Sequence, residues 1–208
     1  MDKEQLQKLY LQEEYYWGME PSRLAEKILD YIPEDRRKSM KIVDLGAGEG
    51  RDSVFLARAG FELIAVDIAP AGLAKAERLA AKRNAVIKTV EADINDFAWQ
   101  DPVDLVYSIG ALQYIEPQNR NRQFSRFKER TLPGGLHVLF AFVEHPDVEL
   151  APDWGENEYL YKRTELQGYY ADWDVIEAEE VIFDCSSSNI PHRHAASTVI
   201  ARKPVPGP

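Results

Sequence analysis

Lys41-Ile42-Val43-Asp44-Leu45-Gly46-Ala47-Gly48-Glu49-Gly50-Arg51 decides how the rest of the chain is read. A short apolar run, Ile42-Val43, meets an acid and then three glycines at alternate positions. A helix-like stretch, Asp52 to Ala59, follows at once. Strand, tight turn, helix is the layout of a nucleotide-binding crossover. Glycine opens positive φ and removes the Cβ, so a ligand can lie against bare backbone. The dinucleotide fingerprint, G-x-G-x-x-G, seats a pyrophosphate on the helix N-terminus. Here the spacing is G-x-G-x-G, and Asp44 stands just before it. A carboxylate there repels a pyrophosphate and suits an ammonium or a positive sulfur. No Gly-Lys-Ser/Thr follows, which excludes a Walker-type phosphate loop. A glycine-rich turn can be only a turn, but this spacing favours a cationic nucleoside over a dinucleotide.

The 208 residues suit one domain with a single sizeable core. Lys+Arg 25 against Asp+Glu 35 leaves a formal charge of −10, a field that discourages nucleic-acid or anionic-membrane partners. The basic run Arg120, Arg122, Arg126, Lys128 and Arg130 is interrupted by Glu129 and reads as a solvated helix face. A single cysteine, Cys185, allows neither a disulfide framework nor a cysteine zinc site, and no metal is expected. The polar start lacks a signal-peptide core, and no apolar run reaches membrane-spanning length. These features together predict a cytoplasmic protein.

Residues 1–38 read as a helical appendage or lid, 39–203 as the core and 204–208 as a frayed tail. Leu6, Leu9 and Tyr10 recur at helical spacing, and the aromatic cluster Tyr15-Tyr16-Trp17 follows. Ser22 is a candidate N-cap for a helix from Arg23 to Ile32. Phe61 to Asp67 is a second strand ending in an acid. From Gly46 to Asp67 is 67 − 46 = 21 positions, close to the ~20 at which such folds place a ribose-binding carboxylate. A helix over Pro70 to Arg83 leads to a third strand, Val86 to Val90, and then to Asp93-Ile94. Val103 to Ile109 is a fourth strand, and Asn121 to Leu132 a helix with Phe124, Phe127 and Leu132 inward. Pro133-Gly134-Gly135 turns the chain into a fifth strand, Leu136 to Val143. Five strands alternating with helices imply a parallel sheet covered on both faces. Trp173 to Glu179 and Ala196 to Ala201 close it, with Cys185, His192 and His194 in the loop between.

Val43 to Gly50, Val66-Asp67, Ala92-Asp93-Ile94, Asp104-Leu105-Val106 and Leu132 to Gly135 resemble the ordered motifs of class I S-adenosylmethionine-dependent methyltransferases. The likeness runs from about Lys41 to Lys203. It implies a Rossmann-like α/β fold, a seven-stranded, mostly parallel sheet in the order 3-2-1-4-5-7-6 with helices on both faces. Gly50 to Ala57 before Gly60, Glu165-Leu166 with Tyr169-Tyr170 and Trp173, and Ala201-Arg202-Lys203 resemble the tellurite-resistance subfamily of small-molecule methyltransferases.

By that resemblance the cofactor is S-adenosylmethionine. The backbone of the glycine turn, Gly46, Ala47, Gly48 and Gly50, would hold its methionine part and Asp67 the ribose, with Asp44, Arg51 and Ile68 also among the cofactor-binding residues. Asp93 and Ile94 would hold the adenine, the Gly110–Gln113 backbone would line the site beside the methionine part, and Ser108 is a further cofactor-binding candidate. Tyr15, Tyr16, Trp17, Gln113 and Tyr114 are lid or acceptor candidates. His192 and His194 are acid–base candidates for an acceptor that carries a proton at neutral pH. The partner expected is a small methyl acceptor, of chalcogen oxyanion or thiol type. A nicotinamide-dependent oxidoreductase and a non-catalytic cofactor-binding module are the rival readings. Neither the acceptor nor the oligomeric state is fixed by the residues.

Overall fold

The computed structural model describes residues 1–207 apart from 153 and 187–189. Helices α1 (Lys3–Tyr10), α2 (Arg23–Tyr31) and α3 (Glu34–Arg37) precede the sheet. Strand β1 (Lys41–Leu45) leads into α4 (Arg51–Arg58), β2 (Glu62–Asp67), α5 (Pro70–Lys82) and β3 (Lys88–Glu91). Then come β4 (Val103–Ser108), α6 (Pro117–Glu129), β5 (Thr131–Phe142), α7 (Glu165–Gly168), β6 (Asp174–Cys185) and β7 (His192–Arg202). The strands lie in the order β3-β2-β1-β4-β5-β7-β6, the order the family resemblance implied. β1 pairs in parallel with β2 and β4, whereas β7 runs antiparallel between β5 and β6. The chain winds outward from β1 in one direction through β2 and β3, then returns to β4 beside it. That switch opens a crevice at the C-terminal ends of β1 and β4.

Alternation along each strand sends successive side chains to opposite faces. Ile42, Leu63, Leu105 and Val138 pack with Ile28 of α2, Leu56 of α4 and Leu73 of α5. Val43, Leu45, Val106 and Leu139 face the other way, onto Phe124 and Phe127 of α6 and Leu166 of α7. Helix α2 is therefore part of the core; its Ala25 and Ile28 are fully buried. Helix α1 packs separately, with Leu6 and Tyr10 buried against Ala69 and Ala71 at the start of α5. Ser22 caps α2 as its position suggested, accepting from Ala25 N at 3.1 Å.

Four expectations need correction. The closing strands are far longer than read, so His192 and His194 lie on β7 and not in a loop. Polar, β-branched and serine-rich residues on an edge hairpin carry too weak an alternation to be read as strand. Helix α6 ends at Glu129, and β5 starts at Thr131, with Pro133 and Gly134 inside it. Gly134 takes φ +79° and donates to Lys203 O at 2.9 Å, so an apparent turn is a kink absorbed by the strand. Leu132 is consequently 39% exposed. Finally, Arg120 is not on a solvated face. It is buried, paired with Glu165 at 2.9 Å, and its guanidinium lies 3.6 Å from the Tyr161 ring centroid.

Candidate active site

A cavity of about 620 Å³ opens at the C-terminal ends of β1, β2, β3 and β4. Its floor is the glycine turn. Gly46 N and Ala47 N donate to Val66 O at 2.8 and 2.9 Å, tying the turn to β2. Gly46 has φ +79°, and a Cβ there would sit 2.0 Å from the Cβ of Ala111, in the loop after β4. Glycine is thus required both by conformation and by the close approach of two loops. Gly50, at φ +82°, starts α4, and a Cβ would fall 2.4 Å from Ala76 Cβ on α5. Its role is helix packing, because it does not line the cavity.

Two acids set the electrostatics of this end. Asp44 is buried at the tip of β1, and Ser53 Oγ donates to it at 2.6 Å. Burial pushes its carboxyl up to about 7, the Ser53 bond opposes the rise, and the charges of Asp52 and Asp67 add to it. Asp67, at the end of β2, accepts from Gly48 N and from Ala69 N, each at 2.8 Å. Burial raises its carboxyl above the usual range, against the pull of these backbone donors. Each carboxylate oxygen has two acceptor directions and has used one on the backbone. Asp67 therefore holds the turn and still presents acceptors to a pair of hydroxyls. Ile68, Asp93 and Ile94 line the same end, with Asp93 Oδ1 also accepting from Asn95 N.

Helix α1 roofs this end with Leu6 and Tyr10, and Trp17 joins them. Trp17 donates its indole N–H to Tyr10 Oη at 3.2 Å and its backbone N–H to Glu49 at 3.1 Å. Glu49 is in turn buried against Lys75, 2.7 Å away. Of the three aromatic candidates only Trp17 lines the cavity. Tyr15 packs on Val54 and Leu79 and donates to Lys75 O, while Tyr16 meets Trp17 edge-on at 4.7 Å.

Beyond Gly110 the lining changes character. Phe140 and Phe142, alternate residues of β5, face Phe183 of β6, with Trp154 and His194 completing the wall. Gln113 donates to Gly110 O at 2.7 Å, and its Oε1 is buried on the cavity wall with no hydrogen-bond partner among the described residues. Tyr114 also lines the cavity. Ser108 does not, because its hydroxyl is spent on Leu45 O at 2.8 Å. His192 is likewise off the lining, but its Nε2 sits 2.9 Å from that of His194. Tyr10, Glu49 and the β5–β6 aromatics were missed in the sequence. Phe140 and Phe142 have the i, i+2 spacing of one strand face, yet nothing local says that this face meets a cavity.

The family model described as "Tellurite resistance protein TehB" matches residues 12–189. The chain is 27% identical over 140 residues to the "Probable S-adenosyl-L-methionine-dependent methyltransferase TehB" of Haemophilus influenzae (strain ATCC 51907 / DSM 11121 / KW20 / Rd), covering 67% of this chain and 48% of that protein. It is 26% identical over 167 residues to "Hemagglutinin 1" of Eikenella corrodens, covering 79% and 55%. The chain thus spans about half the length of the curated relatives it matches. The crystal structure of TehB from Haemophilus influenzae superposes with a TM-score of 0.77 at 23% identity, over 97% of this chain and 66% of that one. N-methyltransferase NodS from Bradyrhizobium japonicum WM9, in complex with S-adenosyl-L-homocysteine, gives 0.71 at 15% identity over 98% of each. These two solved structures share its fold. With most of its length matched by the family model, the chain belongs to the tellurite resistance protein TehB family.

Proposed function

We propose that this chain is an S-adenosylmethionine-dependent methyltransferase acting on a small acceptor. The observation that carries this reading is one cavity with two chemically distinct ends. Asp44 and Asp67 mark one end, and an aromatic wall of Phe140, Phe142, Phe183 and Trp154 the other. About 620 Å³ is within the range of small-molecule sites. The residues fit the cofactor: a glycine turn whose Gly46 and Gly48 lie bare on the cavity floor, acids for its positive charges, and the buried Gln113 Oε1 as a further acceptor. Bound there, the cofactor supplies a methyl group on a sulfonium, already a good leaving group.

The work left to the chain is positioning and exclusion of water. Asp67 would hold the ribose hydroxyls, Ile68, Asp93 and Ile94 the adenine, and Asp44 the cationic methionine part. Ala47, Gly48, Arg51 and Gly110 form the surface against which that part lies. Tyr10 and Trp17 cover the nucleoside end. The aromatic wall favours a soft, weakly hydrated acceptor such as a thiol over an oxyanion. Among the described residues, the lining cations Lys3, Arg51 and the Met1 amino group are taken by Glu91, Asp52 and Glu158.

Calorimetry with S-adenosylmethionine, S-adenosylhomocysteine and NAD is the first test. Binding of both sulfur nucleosides and not of NAD supports the reading, and the reverse preference transfers the site to a dinucleotide enzyme. A labelled-methyl screen over thiols, phenols, amines and chalcogen oxyanions then distinguishes catalysis from a binding module.

A further inference from the structure

We propose that Cys185, His192 and His194 form a binding site for a zinc-class divalent ion at the aromatic end of the cavity. The register of the β6–β7 hairpin brings them together. Cys185 pairs directly with His192 across the ladder, and His194 pairs with Phe183. Directly opposed residues project to the same face of an antiparallel pair, and so do residues two apart on one strand. The thiol and both imidazoles therefore share one face, with Cys185 and His194 on the cavity lining. One ligand atom from each lies within 4.8 Å of the others. In a tetrahedral zinc site, ligand atoms stand roughly 3.3–3.6 Å apart, from metal–ligand bonds of about 2.0–2.3 Å. Rotations about the side-chain torsions of half-buried Cys185 and His192 supply a closure of about 1 Å.

Hydrogen bonding around the histidines provides a second, independent argument. His192 Nδ1 lies 2.7 Å from Ile190 O. A carbonyl oxygen only accepts, so Nδ1 carries the proton and donates. Neutral His192 then presents a lone pair at Nε2, the tautomer that binds a metal, with its other nitrogen anchored as metal-ligating imidazoles usually are. The neighbouring Nε2 of His194, at 2.9 Å, donates into that lone pair. An ion would take the place of this shared proton and bind both Nε2 atoms, as His194 shifts to its Nδ1–H tautomer and the Cys185 thiol releases its proton to solvent. Two imidazoles and one thiolate are borderline-soft donors that suit zinc over magnesium or calcium. Three protein ligands leave a fourth position, facing the cavity and held by water, as in sites that are not purely structural. The expectation of a metal-free chain counted cysteines alone; the antiparallel register supplies the remaining donors.

Cobalt(II) titration of the metal-stripped protein tests this directly. The wild type should take up one equivalent with a thiolate-to-cobalt charge-transfer absorption, displaced by one equivalent of zinc(II). C185S should lose that absorption, and H192Q and H194Q should each weaken zinc binding at least tenfold, measured by competition with a chromogenic chelator. Circular dichroism melts identify any variant that fails to fold, and the wild-type titration decides the question without them. Absence of the absorption at one equivalent, or its persistence unchanged in H192Q, would overturn the proposal. Neither readout depends on the cofactor, so failure here leaves the methyltransferase reading standing.

Discussion

At the scale of single residues, Asp67 carries two tasks with one carboxylate. It ties the glycine turn through Gly48 and Ala69, and it lines the cavity. Asp67→Ala should weaken S-adenosylhomocysteine binding at least tenfold, about 1.4 kcal/mol, through the loss of charge-assisted hydrogen bonds. Calorimetry checks this, and an unchanged affinity would remove Asp67 from the site. Asp44 makes a prediction of a different kind. Its carboxyl titrates at about 7, so half of the molecules hold it neutral near that pH. A cationic ligand favours the ionised form. Affinity for S-adenosylmethionine should therefore rise roughly tenfold from pH 6 to pH 8, with protons released on binding. Asp44→Asn should flatten that rise, as seen by calorimetry in buffers of different ionisation enthalpy.

Elements are joined at this site by a buried charge pair. Glu49 in the turn meets Lys75 on α5, with side chains 1% and 3% exposed, and Glu49 also receives the backbone N–H of Trp17. One pair thus couples the turn, α5 and the segment that roofs the cavity. Removing one partner strands a charge away from water. Lys75→Met should cost about 3–5 kcal/mol in chemical denaturation, whereas the double variant Lys75→Met/Glu49→Gln should recover much of the loss. Additive losses would show that the two side chains act independently. The same logic explains Arg120, whose place in a run of basic residues suggested solvent. Tertiary structure set the Ile115 carbonyl, Glu165 of α7 and the Tyr159–Leu160 carbonyls around it, and a buried guanidinium holds them together.

Over the whole molecule, two buried groups give the stability opposite responses to pH. Asp44 is raised from 3.8 to about 7, so its contribution is full below about pH 4 and gone above about pH 7. His137, hydrogen-bonded to Thr131 and Tyr170, is lowered by burial and by the charges of Lys128 and Lys203, to about 3. Its contribution is present above about pH 6.5 and is lost as the pH falls toward 3. Between pH 4 and 6.5 the two slopes, each about 1.4 kcal/mol per pH unit, oppose one another. Asp44→Asn removes one of them. The variant should exceed the wild type in stability most at pH 8, and its advantage should shrink on acidification from pH 7 to 4. Urea titrations across that range check it, and a constant difference would show that Asp44 is not raised in the folded state.

The residues alone determined the crossover and the acids at the ends of β1 and β2, whereas the order of the strands came from the family resemblance those motifs carry. The crossover and the acids follow from contacts local in sequence: apolar runs, glycines that need positive φ, and an acid at a strand end about twenty residues on. Among the described residues no helix is long and apolar enough to cross a membrane, as the composition implied. What only the tertiary structure decided depends on partners distant along the chain. Tyr10 over the turn, Phe140 and Phe142 facing Phe183, Arg120 inside, and Cys185 beside two histidines are products of register and packing. A weakly alternating edge hairpin carries its register in the strand it pairs with, and so its chemistry became legible only once β7 was seen lying between β5 and β6.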